Sequence, residues 1–149
     1  MTRSRVGVRE RTESGLNPRP PLKWVGGKRW LLPALRPLWQ GHTTFRLVEP
    51  FVGGMAVALG LRPREALLND INPHLINFYR WLQQGFVIGI ERTYQQDVYY
   101  RHRQHFNELI QAGRADSHEA AELFYYLNRT GYNGLCRFNK KGGYNVPFG

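Results

Sequence analysis

The chain has 149 residues, 42% of them apolar, which is one domain's worth of polypeptide with enough apolar side chains for a single core. Lys plus Arg number 21 against 11 Asp plus Glu, a net charge of +10 that would draw a polyanion and make its binding strongly salt-dependent. A lone cysteine, Cys136, excludes an internal disulfide and a Cys-cluster metal site, no run reaches the roughly 18 apolar residues of a membrane span, and the basic N-terminus has no apolar core behind it. These features lead us to expect a cytoplasmic protein without a metal centre.

Residues 1–20 are rich in Arg, Ser, Gly and Pro and lack periodicity, so a disordered basic arm is expected there. Arg29 to Leu38 reads as a short helix that Pro33 and Pro37 keep imperfect. Phe45 to Val48 reads as a strand that stops at Pro50. Gly53 and Gly54 then permit a tight turn, and Ala56 can start a helix, which together make the outline of a nucleotide cradle. A second strand spans Ala66 to Asp70. Asp70 comes 17 positions after Gly53, close to where an acidic residue accepts hydrogen bonds from ribose hydroxyls. Asn72 and Pro73 suit the N-cap and first turn of a helix with Leu75, Ile76, Tyr79 and Leu82 on its apolar face, which leaves Asp70 free for a ligand.

Asp97 to Ala112 and a segment capped by Ser117 and running to about Asn128 are two more helices. From Arg129 onward Gly and Asn residues argue for loop, with a hairpin as one form of it. No acidic residue follows Glu122, whereas Arg129, Arg137, Lys140 and Lys141 do, interleaved with aromatic and Asn residues as in nucleic-acid-binding surfaces. His102 and His105 lie three apart on a helix without further ligands, so we read both as surface residues. Cys136 reads as structural. Two strands and about five helices do not complete an open sheet.

Four blocks carry a more specific signal: Lys23-Trp24-Val25-Gly26-Gly27-Lys28, Glu49-Pro50-Phe51-Val52-Gly53-Gly54, Asn69-Asp70-Ile71-Asn72, and Tyr126 to Asn139 followed by Tyr144-Asn145-Val146-Pro147-Phe148-Gly149. Their identity and order resemble the Dam-type (D12 class) DNA adenine N6-methyltransferases. The resemblance implies an α/β, Rossmann-like S-adenosylmethionine-dependent methyltransferase fold with a helical DNA-recognition insertion. It also implies S-adenosylmethionine as donor and adenine in duplex DNA, in a GATC-like target, as acceptor.

By position it assigns Trp24, Lys28, Glu49, Phe51, Gly53 and Asp70 to the donor site. It assigns Lys23, Arg103, Arg129, Tyr132, Asn133, Leu135, Arg137, Asn139 and Pro147 to DNA: Tyr132 and Asn133 as wedges, Leu135, Arg137 and Pro147 as readers of base edges, and Arg103, Arg129 and Asn139 as phosphate contacts. The chain then divides into a donor-binding part over residues 21–90 and a target-recognition part over 91–149. Other readings of Arg103 and Asn139 are a solvated helix face and turn chemistry.

Two departures stand out. The family's catalytic Asp-Pro-Pro-Tyr is absent, so no catalytic residue is assigned, and the chain is expected to be a fragment or truncation with little activity by itself. Relatives have a further Gly where this chain has Met55. A non-catalytic nucleic-acid-binding remnant stays open beside the enzyme reading, as do restriction-modification and housekeeping roles.

Overall fold

The computed structural model describes residues 18–149. The expected basic arm therefore lies, except for residues 18–20, outside the described residues. A short 3-10 turn at Arg29–Leu31 leads into α1 (Leu32–Gln40), which has a proline in its first turn, where no N–H is needed, and Pro37 inside. Next come β1 (Leu47–Glu49), α2 (Ala56–Leu61) and β2 (Ala66–Leu68), each strand shorter than its sequence suggests. β1 and β2 pair in parallel, Val48 opposite Leu67, with α2 as the connection between them. This mixed α/β architecture with a small parallel sheet carries the glycine turn at its carboxyl end.

Helices α3 (Pro73–Gln83), α4 (Gln96–Gln111) and α5 (His118–Thr130) follow. Asn72 caps α3 by accepting the N–H groups of His74 and Leu75, and Ser117 caps α5 through Ala120, both as the sequence suggests. The C-terminal segment is the anticipated hairpin-like loop, with a 3-10 turn at Tyr132–Gly134 and antiparallel bridges Phe138 to Tyr144 and Gly131 to Phe148.

The core belongs to the helices. The largest fully buried side chains are Leu75 and Phe78 of α3, Tyr99 and Phe106 of α4, Phe124, Tyr126, Leu127 and Asn128 of α5, and Tyr144 and Val146 of the C-terminal segment. The His74 ring joins this core, stacked on Phe138 at 4.7 Å and edge-on to Phe106 at 5.2 Å. α3 thus packs on elements from the other side of residue 90, and one core serves both sequence segments.

His102 is corrected by this packing: it is half-buried, its ring 4.6 Å from that of Tyr126, and burial lowers its pKa. His105 is partly exposed and paired with Glu119 at 2.7 Å and Glu108 at 3.5 Å. Among the described residues no helix is long and apolar enough to cross a membrane, and no group of three or more His, Cys, Asp or Glu residues could hold a metal ion.

Candidate functional site

The glycine turn is built by polar groups that hold backbone. Gly53 adopts a left-handed φ of +47°, and a Cβ there would fall 2.8 Å from the Trp24 indole nitrogen. A Cβ on Gly54 would fall 2.9 Å from the Cβ of Trp24. Glycine at these positions therefore lets Trp24 lie flat against the turn, a second reason for the pair besides ligand approach. The Gly53 peptide is pinned on both sides: its N–H donates to Asp70 Oδ2 at 3.0 Å, and its carbonyl accepts the Tyr79 hydroxyl at 2.7 Å. The other Asp70 oxygen accepts the N–H of Asn72 at 3.0 Å.

Asp70 is thus not left free, as its neighbour's capping suggested. Each of its oxygens already takes one backbone N–H, and the neighbouring Asn69 carbonyl accepts the Val52 N–H at 2.8 Å, so the end of β2 holds the turn at two points. Each oxygen still has a lone pair for a further donor. Glu49, at the end of β1, accepts the N–H of Ala58 at 3.0 Å and so satisfies one N–H in the first turn of α2, whose own N-cap position, Met55, offers no side-chain bond. Burial raises the Glu49 pKa, opposed by that N–H. Burial also raises the Tyr79 pKa, with the Asp70 and Glu49 charges adding to it, so this hydroxyl stays a donor at every physiological pH.

Trp24, Lys28, Glu49, Phe51, Gly53 and Asp70 all line one cleft of about 250 Å³, together with Val25 to Gly27, Val52, Gly54, Ala56 and Val57. Lys28 Nζ donates to the Gly26 carbonyl at 2.6 Å across the loop. Phe51 is 84% exposed and Ile71, next to Asp70, is 93% exposed. Large apolar side chains held in water beside a polar turn are candidates for contact with a flat ligand. Sequence reasoning placed Tyr79 on an apolar face and passed over Ile71. The signal for Ile71 was its apolar character between Asp70 and the Asn72 cap, outside both strand and helix.

The residues assigned to DNA come from four places: Lys23 on the segment before α1, Arg103 on α4, Arg129 near the end of α5, and the rest on the C-terminal loop. Tyr132 and Asn133 are exposed on the 3-10 turn, where Tyr132 N–H bonds the Pro147 carbonyl at 3.0 Å. Arg137 is exposed, and its Nε and Nη2 grip the Asn145 side-chain and backbone oxygens at 2.8 and 3.1 Å. That clip fixes the guanidinium plane and leaves donors on Nη1 unused. Leu135 is half-buried, its carbonyl accepting the Tyr144 hydroxyl at 3.2 Å. Lys23 is exposed, and Arg129 has a buried Nε without a partner among the described residues.

Two assigned residues are engaged inside the fold. Arg103 donates to the Val146 carbonyl at 3.0 Å and lies 4.6 Å over the Tyr100 ring. Asn139 accepts the N–H groups of Lys141 and Gly143 at 2.9 and 3.0 Å, the turn chemistry weighed for it above. Cys136 is half-buried, its thiol pushed up to about 11 by burial, so it is a poor nucleophile at neutral pH.

Residues 24–149 match the family model of the D12 class N6 adenine-specific DNA methyltransferase. The chain is similar to the DNA adenine methylase of Vibrio cholerae, 42% identical over 138 residues, covering 86% of this chain and 47% of the relative. The DNA adenine methylase of Escherichia coli K12 is 42% identical over 137 residues, covering 86% and 46%. That of Haemophilus influenzae is 37% identical over 143 residues, covering 90% and 48%. The chain therefore spans about half the length of the curated relatives it matches. With most of its length matched, the chain belongs to the D12 class of N6 adenine-specific DNA methyltransferases.

Proposed function

We propose that this chain is the donor-binding part and a portion of the DNA-recognition part of a site-specific DNA adenine N6-methyltransferase, with S-adenosylmethionine as donor and a GATC-like duplex as target. The observation that carries the reading is the convergence of Trp24, Lys28, Glu49, Phe51, Gly53 and Asp70 on one cleft beside a glycine turn. The donor set fits the ligand's chemistry. Asp70 would accept a ribose hydroxyl on a free lone pair, Lys28 would leave the Gly26 carbonyl for the carboxylate, and Phe51 and Trp24 would offer aromatic faces to the adenine and the sulfonium, with Ile71 adding apolar surface beside Asp70. Once bound, the donor supplies a methyl group activated by a cationic sulfur.

The parallel β1 and β2 joined by α2 support a Rossmann-like arrangement, and residues 91–149 supply the helical recognition insertion. Tyr132 and Asn133, exposed on their turn, would enter the gap that an extruded adenine leaves. Arg137, held in plane by Asn145, would offer guanine its remaining donors, with Leu135 and Pro147 beside it at base edges. Lys23 and Arg129 would meet phosphates. Arg103 and Asn139 serve this reading as scaffold, since their polar groups already hold Val146 and the hairpin turn. A DNA substrate places the protein in the cytoplasm.

Calorimetric titration with S-adenosylmethionine tests the reading. Saturable binding that weakens about tenfold or more in Phe51→Ala, an exposed position whose loss leaves the fold unchanged, is the expected result. The chain should also bind a GATC duplex with an affinity that falls steeply with salt. Salt-sensitive duplex binding without donor affinity would instead make the chain a non-catalytic nucleic-acid-binding remnant. Because Asp-Pro-Pro-Tyr is not among these residues, methyl transfer by the 149-residue chain alone should be undetectable.

A further inference from the structure

The donor cleft and the recognition loop meet at one buried amide. Asn128, near the end of α5 and 1% exposed, accepts the N–H of Lys23 on Oδ1 at 2.8 Å. Its Nδ2 donates to the Lys23 carbonyl at 2.8 Å and to the Gly134 carbonyl at 3.4 Å. Lys23 is the residue before Trp24, whose ring lies on the glycine turn. Gly134 follows Tyr132 and Asn133. It adopts a left-handed φ of +63°, and a Cβ there would collide with the Cβ of Lys23, so the two backbones touch. A weaker thread runs parallel: Asn72, whose N–H binds Asp70, donates through Nδ2 to Cys136 Sγ at 3.1 Å.

The physical reason for an amide at this position is the Lys23 peptide. It lies on a segment without helix or strand, so its N–H and carbonyl need partners that no ladder supplies. An Asn side chain presents one acceptor and two donors and acts as a substitute peptide, whereas an apolar residue would strand three backbone groups. The same amide cannot hold Lys23 and Gly134 in two unrelated positions. Whatever orders the Trp24 segment therefore orders the loop, and the reverse.

We propose that Asn128 is a positioning residue that couples occupancy of the donor cleft to the conformation of the Tyr132–Gly134 loop, so that donor and duplex DNA bind with positive cooperativity. The inference rests on the function proposed above. A ligand seated against Trp24 fixes the Lys23 peptide, and the second ligand then meets a loop that needs less ordering. Coupling of this kind is reciprocal, each ligand raising the affinity of the other by one common factor.

The experiment is a titration of the 149-residue chain with S-adenosylhomocysteine, with and without a saturating GATC duplex, for the wild type, Asn128→Ala and Gly134→Ala. Donor-site affinity should rise about fivefold or more with duplex in the wild type. In each variant that factor should fall below about twofold, while each ligand alone still binds. Gly134→Ala separates the loop from Lys23 without emptying the buried amide, and so stands in if Asn128→Ala does not fold.

A third measurement needs neither variant. Duplex alone should shift the Trp24 indole N–H resonance of the wild type, assigned by its loss in Trp24→Phe. Binding of both ligands without coupling, coupling retained in a folded variant, or an unmoved Trp24 resonance on duplex binding would each overturn the proposal. Absence of both binary affinities would bring down the functional reading and this inference with it, and the single-ligand titrations identify that case.

Discussion

The sheet end and the helical end of this molecule are held by different forces. In α3, α4 and α5 the buried positions are mostly aromatic and aliphatic, and the amides among them, Asn77 and Asn128, bond to backbone, whereas the His74 ring is held by stacking on aromatic neighbours. In β1 and β2 no residue is fully buried, and Val48 and Leu67, paired in register, are 56% and 51% exposed. The glycine turn after β1 depends on polar braces, Asp70 and Tyr79 on the Gly53 peptide, in addition to the packing of Val52 and Trp24. An apolar core tolerates no change of volume, whereas a turn held by charge tolerates changes of shape but not loss of its acceptor. That arrangement leaves the backbone of the turn facing a cleft and keeps rigidity in the helices behind it.

The sharpest way to break the contrast is a cavity in the helical core. Phe124 is 1% exposed and lies between Phe106 and His74, so Phe124→Ala should cost about 3–5 kcal/mol by denaturant unfolding. At the turn, Asp70→Ala removes the acceptor of two backbone N–H groups. It should cost about 2 kcal/mol, and hydrogen exchange should quicken at Gly53 and Asn72 while the helical core stays protected. Equal losses in the two variants, or exchange quickening throughout after Asp70→Ala, would remove the distinction between the two ends.

How much of this was readable in advance follows from the range of each interaction. The caps at Asn72 and Ser117, the glycine turn and the helix spans rest on neighbours within a few residues, and the sequence carries them openly. The clustering of Trp24 and Lys28 with Asp70 was legible only through resemblance, since no local pattern joins positions more than 40 apart. That Asp70 also holds the Gly53 and Asn72 N–H groups was not legible, because this depends on where those N–H groups point. Glu49 capping α2 is of the same kind. Asn128 did leave a trace: it lies four residues after Phe124 and seven after Ala121, a polar residue on an otherwise apolar helical stripe, which is a position that demands a partner.

Acid should separate the ends next. His74 is buried among Phe106, Phe124 and Phe138, its Nδ1 has no partner among the described residues, and burial lowers its pKa from the ordinary 6.5. Below pH 6.5 the unfolded chain therefore binds more protons at this position than the folded chain, and stability must fall as pH falls through that value. His102, also lowered by burial, adds in the same direction, whereas His105, raised chiefly by Glu119, contributes stability below pH 6.5 that is lost as pH rises through its folded pKa. His105 is close to half exposed, so solvent reduces its part to a fraction of about 1 kcal/mol. The buried ring should dominate. Stability should rise from pH 5 to pH 7 by at most about 1.4 kcal/mol per pH unit for each buried group, and His74→Phe should flatten most of the slope. A slope unchanged in His74→Phe would transfer the effect to other groups.

The smallest effect is expected on the sheet. Leu67→Thr replaces a half-exposed aliphatic side chain by a β-branched one that strands accept well, so the loss of buried area is small and the propensity change opposes it. Val48→Thr is nearly the same shape and exchanges an exposed methyl for a hydroxyl that water can satisfy. Each change, and the pair together, should alter unfolding free energy by no more than about 0.5 kcal/mol, roughly a tenth of the Phe124→Ala cost. Because the two side chains face each other in register, the double variant also removes a contiguous apolar area from water, and it should stay monodisperse to higher concentration in light scattering. A loss above 2 kcal/mol in the double variant would mean that Val48 and Leu67 are covered in solution, and that the sheet end is held by packing as the helices are.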